Sequence, residues 1–206
     1  MIKVTRNSLL KDAARQFAQK AGELAELAEI AICGSVAGND PNPSDIDLAV
    51  VMTHFSSLEP LAKYARQMSS ISHAWEVFVF DHQLTYQGRI CHRRECPRRS
   101  IDCADPDCGK VPHLRIVPDF EFDEPQFFES PFEIIYQTTE KSYLLRHKEQ
   151  IGITFSRTYT ALKPIKVECV MCGRRFIIDG GEQKWYEKRG LNLPKRCSRC
   201  RPGRGF

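Results

Sequence analysis

Two groups of residues in this chain have the types and spacing to hold metal ions. The first is Asp45 and Asp47 in SDIDLAVV, two carboxylates on either side of Ile46, with the pair Gly34-Ser35 upstream and a nine-residue loop between Ser35 and Asp45. Strand side chains alternate faces, so a strand over 45–52 puts both acids on one side and Ile46 and Leu48 on the other. Like charges this close repel, and a divalent cation relieves them; one or two carboxylates are what Mg²⁺ takes when it also holds nucleotide phosphates. Gly34 permits a tight turn, and Ser35 offers an N–H and a hydroxyl to a phosphate. The second group is Cys169, Cys172, Cys197 and Cys200, spaced C-x2-C, twenty-four residues, C-x2-C. That is the spacing of a four-thiolate structural zinc site, with Gly173 placed where the knuckle turns.

The stretch CGSVAGNDPNPSDIDLAVV resembles the DNA polymerase β-like nucleotidyltransferase superfamily, especially its minimal bacterial members, over residues 6–137 of this chain. The hallmark is Gly-Ser, a loop of about ten residues, then Asp-apolar-Asp. It is carried here by Gly34, Ser35, Asp45 and Asp47, with Gly38 where the family often keeps a small residue. The resemblance implies an α/β (α+β) fold with a small mixed sheet, and transfer of an NMP from an NTP to a hydroxyl. Gly34 and Ser35 are then expected to hold the triphosphate, and Asp45 and Asp47 the Mg²⁺. A third carboxylate on a neighbouring strand is expected to share the second of two Mg²⁺ ions and to help activate the acceptor. WEVFVFD over 75–81 is the suitable strand; the acid is expected near its start, which favours Glu76 over Asp81. Glutamate where aspartate is commoner departs from the family pattern. An RNA end is the favoured acceptor, with a protein or small molecule as alternatives, and some minimal members work with a partner protein. The competing class is an inactive transferase fold serving as a zinc-dependent nucleic-acid-binding or protein-interaction module.

Cysteine usage extends the zinc argument. Nine cysteines in a chain without a signal-peptide-like start or an apolar run long enough to span a membrane suggest a cytoplasmic, metal-binding protein rather than a disulfide-bonded one. Cys91, Cys96, Cys103 and Cys108 form a second group, C-x4-C, six residues, C-x4-C, interleaved with Pro97, Pro106 and Gly109. A second structural zinc is the expectation, within an insertion over 83–118, with His92 or His113 able to replace a sulfur. Four thiolates leave no open position for catalysis at either zinc. Cys33 ends an apolar strand and reads as a small buried hydrophobe. The segment around the first group, CGRRFIIDGGEQKWYEKRGLNLPKRCSRCR, looks like a small zinc-ribbon family, covering residues 165–203.

A length of 206 residues allows one substantial core and one small satellite, here residues 1–160 and 161–206. Charge divides along the same line: from Lys163 to Phe206 there are 12 Lys/Arg against 4 Asp/Glu, although the whole chain carries only +4. Lys184, Lys188, Arg189, Lys195, Arg196, Arg199, Arg201 and Arg204, interleaved with Trp185 and Tyr186, suit phosphate contact with base stacking. Arg93, Arg94, Arg98 and Arg99 are placed to extend that surface. Hydrophobic spacing predicts helices over 8–20, capped by Asn7 or Ser8, and over 57–69 and 138–150. It predicts strands over 27–33, 45–52, 75–81 and in PFEIIYQ. DFEFDEPQFFESPFE reads as an edge strand and linker whose phenylalanines pack on the core.

Overall fold

In the computed structural model, helix α1 (Arg6–Ala21) begins at Thr5, whose hydroxyl accepts the Ser8 N–H. Its buried residues Leu10, Ala13, Ala14, Phe17, Ala18 and Ala21 fall at helical spacing and form one apolar stripe. The expected cap Asn7 does other work, donating its side-chain amide to the carbonyls of Val36 and Asp40. The structure describes residues 5–41, 43–68, 75–91, 111, 113–115, 121–159, 162–187 and 189–201. Contacts divide the chain into two units, Met1–Tyr159 and Thr160–Phe206.

The first unit is a mixed α+β structure around a six-stranded sheet. Its strands are β1 (Leu27–Cys33), β2 (Ile46–Met52), β3 (Trp75–Asp81), β4 (Tyr86–Ile90), β5 (Leu114–Arg115) and β6 (Phe132–Gln137), in the order β5-β4-β3-β2-β1-β6. β2 and β3 are parallel, joined through helix α3 (Leu58–Gln67); the other pairs are antiparallel. A parallel pair needs such a crossover, whereas β1 reaches its antiparallel partner β2 through the short helix α2 (Gly34–Ala37) and a loop.

Both faces of the sheet are covered, so its central strands are mostly apolar, with Glu29, Asp47, Glu76 and Asp81 the exceptions. On one face Ile30, Ile32, Leu48, Val50, Val77 and Val79 pack with the buried stripes of α1 and α3. On the other, Ala31, Cys33, Ala49, Val51, Phe78 and Phe80 pack with Phe128 of α4 (Glu124–Phe128) and Leu144 of α5 (Tyr143–Gln150). Phe122, Phe127 and Phe132 join this second cluster, so the phenylalanine-rich segment does pack on the core. Its middle is α4 rather than an edge strand: the Asp123 carboxylate accepts the Gln126 N–H, and Pro125 sits in the first turn, where its missing donor costs nothing. α5 starts later than hydrophobic spacing predicts because Ser142 caps it, accepting the Leu145 N–H, while the chain up to Thr138 still bonds to β1.

The second unit is smaller: β7 (Ile165–Glu168) and β8 (Arg175–Ile178) form an antiparallel hairpin followed by helix α6 (Gly180–Glu187). No helix among the described residues is long and apolar enough to cross a membrane.

Candidate functional site

Sheet register assembles part of the expected carboxylate site. Cys33, Asp47 and Glu76 lie side by side on adjacent strands: Cys33 pairs with Asp47 across β1 and β2, and Asp47 with Glu76 across β2 and β3. Both acids therefore share the face that carries Ala49 and Phe78 further along the strands. Asp45 is placed differently. β2 begins at Ile46, leaving Asp45 in the bend before it, and its carboxylate accepts a hydrogen bond from the Ser44 hydroxyl at 2.9 Å. Glu76 pairs with the Arg89 guanidinium, which also lies over the Phe78 ring, 6.0 Å from its centroid. Asp81, the second candidate, belongs elsewhere: it caps the β3–β4 turn, accepting from the N–H groups of Gln83 and Thr85 and from the Gln87 amide.

Gly34 explains how the turn reaches this site. Its φ of +72° is a left-handed conformation, and a Cβ built there would lie 3.1 Å from Asp47 Oδ2. The Gly34 N–H is engaged by the Pro131 carbonyl at 3.2 Å. Gly34 thus contributes its shape rather than a donor. The Asp47 and Glu76 charges act on Cys33 as well. Burial first, then those two carboxylates, hold its thiol well above the ordinary range, which makes it a protonated packing group rather than a nucleophile. Burial likewise pushes nearby Tyr86 up to about 12, in a ring cluster where it stacks on Phe122 at 4.3 Å.

The cysteines of the second unit converge far more tightly. One ligand atom from each of Cys169, Cys172, Cys197 and Cys200 lies within 4.8 Å of the other three, and among the described residues no other group of three or more such side chains meets that distance. Backbone bonds shape the site: Gly173, with φ +66°, donates to the Cys169 carbonyl, Cys200 donates to Cys197, and Val170 donates to Lys195 to join the two knuckles. The Cys197 N–H points at Cys169 Sγ at 3.3 Å and is the main reason that thiol is lowered to about 6. Cys197 is lowered as well, whereas Cys200 is pushed up to about 12, chiefly by its hydrogen bonds to Cys172 and Cys197. Four soft ligands so arranged fit Zn²⁺ in closed tetrahedral coordination.

Residues 165–205 match the family described as a probable treble clef domain. The last part of the chain is a zinc-binding domain. No curated protein and no solved structure matches the chain significantly. Of the other cysteine group, Cys91 is buried and its N–H donates to the His113 carbonyl; Cys96, Cys103 and Cys108 lie outside the described residues.

On the zinc domain, Arg189 covers the Trp185 ring at 4.2 Å, and Trp185 meets Tyr186 edge-on at 5.0 Å. A base stacking on that face of Trp185 has to displace an arginine. Arg201 is committed to Glu182 at 2.8 Å and to the Phe176 ring. Lys188 and Arg204, like Arg93, Arg94, Arg98 and Arg99, lie outside the described residues. Sequence reasoning missed two residues at the carboxylate site, Arg89 and Tyr159. Arg89 is reached only through the β3–β4 register, and Tyr159 stands in a stretch with no periodicity to mark it.

Proposed function

We propose that the first unit is a nucleotidyltransferase that moves an NMP from an NTP to a hydroxyl acceptor, releasing pyrophosphate. One observation supports this most: Asp47 and Glu76 are register partners on parallel strands, with the Gly34 turn set against the Asp47 carboxylate. The donor set is all oxygen, which suits Mg²⁺, and Asp45, Asp47 and Glu76 are the residues that would hold it. Bound there, the metal supplies charge stabilisation at the phosphates. The chain's own part is to orient. Gly34 brings the turn close, Ser35 presents its N–H and hydroxyl to the triphosphate, and Glu76 takes the proton of the incoming hydroxyl. Engaging Glu76 in this way requires its exchange away from Arg89. An RNA end is the favoured acceptor, on the strength of the cationic zinc domain, whose role is to hold the nucleic acid.

The zinc domain also favours a second reading, in which the chain binds nucleic acid or protein without catalysis. One experiment separates them. Each α-labelled NTP is incubated with Mg²⁺, the protein and either total RNA or total cell protein, with Asp47→Asn in parallel. Label transferred by wild type and reduced at least about 100-fold in the variant supports the enzyme and names its acceptor class. Transfer undiminished in Asp47→Asn sinks the assignment, and RNA binding indifferent to that change with no transfer favours the module.

A further inference from the structure

Gly38 is glycine for a reason its backbone does not explain. Its φ of −75° and ψ of 8° are open to any residue. Space is what excludes a side chain: a Cβ there would lie 2.4 Å from Cδ2 and 2.9 Å from Cε2 of Tyr159, and 3.1 Å from Pro131 Cγ. Tyr159 therefore presses on the bare backbone at the end of α2. Pro131 grips the other end, its carbonyl accepting the Gly34 N–H at 3.2 Å, while the Gly38 N–H closes the turn onto the Gly34 carbonyl at 3.0 Å. A helix of four residues has too few internal bonds to fix its own position, so these outside contacts set where the Gly34–Ser35 turn sits relative to Asp47.

Tyr159 is itself firmly held. After α5, the segment 153–159 is tied to the loop before β6: Ile153 donates to the Lys148 carbonyl at 3.0 Å, and Lys148 Nζ donates to the Ser130 carbonyl at 3.1 Å and to Ser156 Oγ at 2.9 Å. The Arg157 N–H donates to the Glu129 carbonyl at 2.7 Å and its guanidinium to the Glu129 carboxylate at 3.0 Å. The Tyr159 hydroxyl bonds to Ser130, and burial raises its pKa with Asp47 among the charges that add to the effect, placing the ring within electrostatic reach of that carboxylate.

We propose that Tyr159 is a positioning residue for nucleotide binding, its ring bracing the Gly34–Ser35 turn through Gly38; this rests on the nucleotidyltransferase reading of that turn. The ring, rather than the hydroxyl, carries the role, because the close contact is made by ring carbons. A turn that holds phosphate works only if it is fixed to within about half an ångström before the ligand arrives. Losing the brace should weaken ground-state binding and leave the chemistry of bound nucleotide intact.

The test is calorimetric titration of full-length protein with the Mg²⁺ complexes of the four α,β-methylene NTPs, using the tightest, for wild type, Asp47→Asn, Tyr159→Ala, Tyr159→Phe, Gly38→Ala and the double variant Gly38→Ala/Tyr159→Ala. Expected is an affinity loss of roughly ten-fold in Tyr159→Ala at unchanged stoichiometry, and recovery to within about two-fold in Tyr159→Phe. Gly38→Ala should also lose about ten-fold, but much less when the ring is already absent, because the added methyl then has space. Binding that depends on Asp47 yet ignores Tyr159→Ala, or additive losses at Gly38 and Tyr159, overturns this inference alone. No binding by wild type, or binding indifferent to Asp47→Asn, overturns the underlying reading and this inference with it.

Discussion

The chain builds its two candidate metal sites in opposite ways. At the cysteine site, all four ligands come from two short knuckles, each closed by a turn of a few residues, Gly173 to Cys169 and Cys200 to Cys197, and joined by the Val170–Lys195 bond. At the carboxylate site, the acids come from a bend and two strands, and sheet register brings them level without making them converge. Ser44 and Arg89 meanwhile occupy Asp45 and Glu76. Thiols carry no charge until ionised and can crowd before the metal arrives. Carboxylates at neutral pH repel, and here a protein hydroxyl and a guanidinium hold two of them. One site is assembled by its local sequence; the other is poised by the fold.

The comparison breaks most visibly if zinc is removed. Among its described residues the second unit has a hairpin of two four-residue strands, one helix and few buried residues, too little apolar surface to stand alone. Structural zinc supplies on the order of 10 kcal/mol in such domains. Treatment with a tight chelator, or Cys172→Ser, is expected to abolish the amide protection of residues 165–201 in hydrogen exchange while leaving the first unit's protection intact. Retained protection in 165–201 would show that this site does not depend on its metal.

Gly34 tests the other side. Alanine at φ +72° costs about 1–2 kcal/mol in backbone energy alone. Its Cβ would also approach Asp47 Oδ2 at 3.1 Å. Gly34→Ala is expected to lower the melting temperature of the first unit by about 3–6 °C and to leave the second unit's transition in place, read by calorimetry. A melting temperature unchanged by the substitution would mean the turn is free to move away from Asp47, and the poised geometry would be lost as an argument.

How legible each region was in the sequence follows from the same contrast. The cysteine site was readable because its geometry is local: two C-x2-C pairs dictate knuckles whatever lies between them. Strands over 27–33 and 75–81 were readable because both faces are covered and the runs are predominantly apolar, interrupted in the interior only by Glu29 and Glu76. Asp47 and Glu76 were legible as types, since no apolar environment explains them, but their adjacency depends on register across two strands. Asp45 was misplaced by one residue, because alternation was assumed to start before the strand did. The cap of α1 fell to Thr5 because Asn7 is drawn to Val36 and Asp40, partners twenty-nine and thirty-three residues away. Arg89 and Tyr159 were invisible for that reason too: both act through contacts that only the folded sheet and its crossing segment create.

Arg89 sharpens the idea of a carboxylate held until a better cation arrives. Its guanidinium is largely shielded and pairs with Glu76. Arg89→Met keeps an unbranched apolar side chain beside Phe78 and removes the competing charge. Mg²⁺ affinity is then expected to rise about three- to ten-fold, measured by Mn²⁺ competition in electron paramagnetic resonance. Unchanged or weaker binding would place Glu76 outside the metal site.

Glu29, on the same sheet, is the contrasting acid that needs no metal. It is fully buried on β1 and accepts hydrogen bonds from the Ser142 hydroxyl and the N–H groups of Tyr143 and Leu144, anchoring the start of α5. Two influences oppose each other there. Burial pushes its pKa up and is the larger; the hydrogen bonds pull it down. A carboxyl raised in the fold keeps its proton where the unfolded chain has lost it, so the folded state binds more protons and stability falls as pH rises. The window opens near the ordinary value of about 4.3 and closes above the raised folded value. Compared with Glu29→Gln, which has no charge to lose, wild type should therefore lose melting temperature as pH rises above about 4.3. A difference that grows in favour of wild type over that range would show that three donors outweigh burial. Glu29 would then be an ionised anchor satisfied by the protein alone.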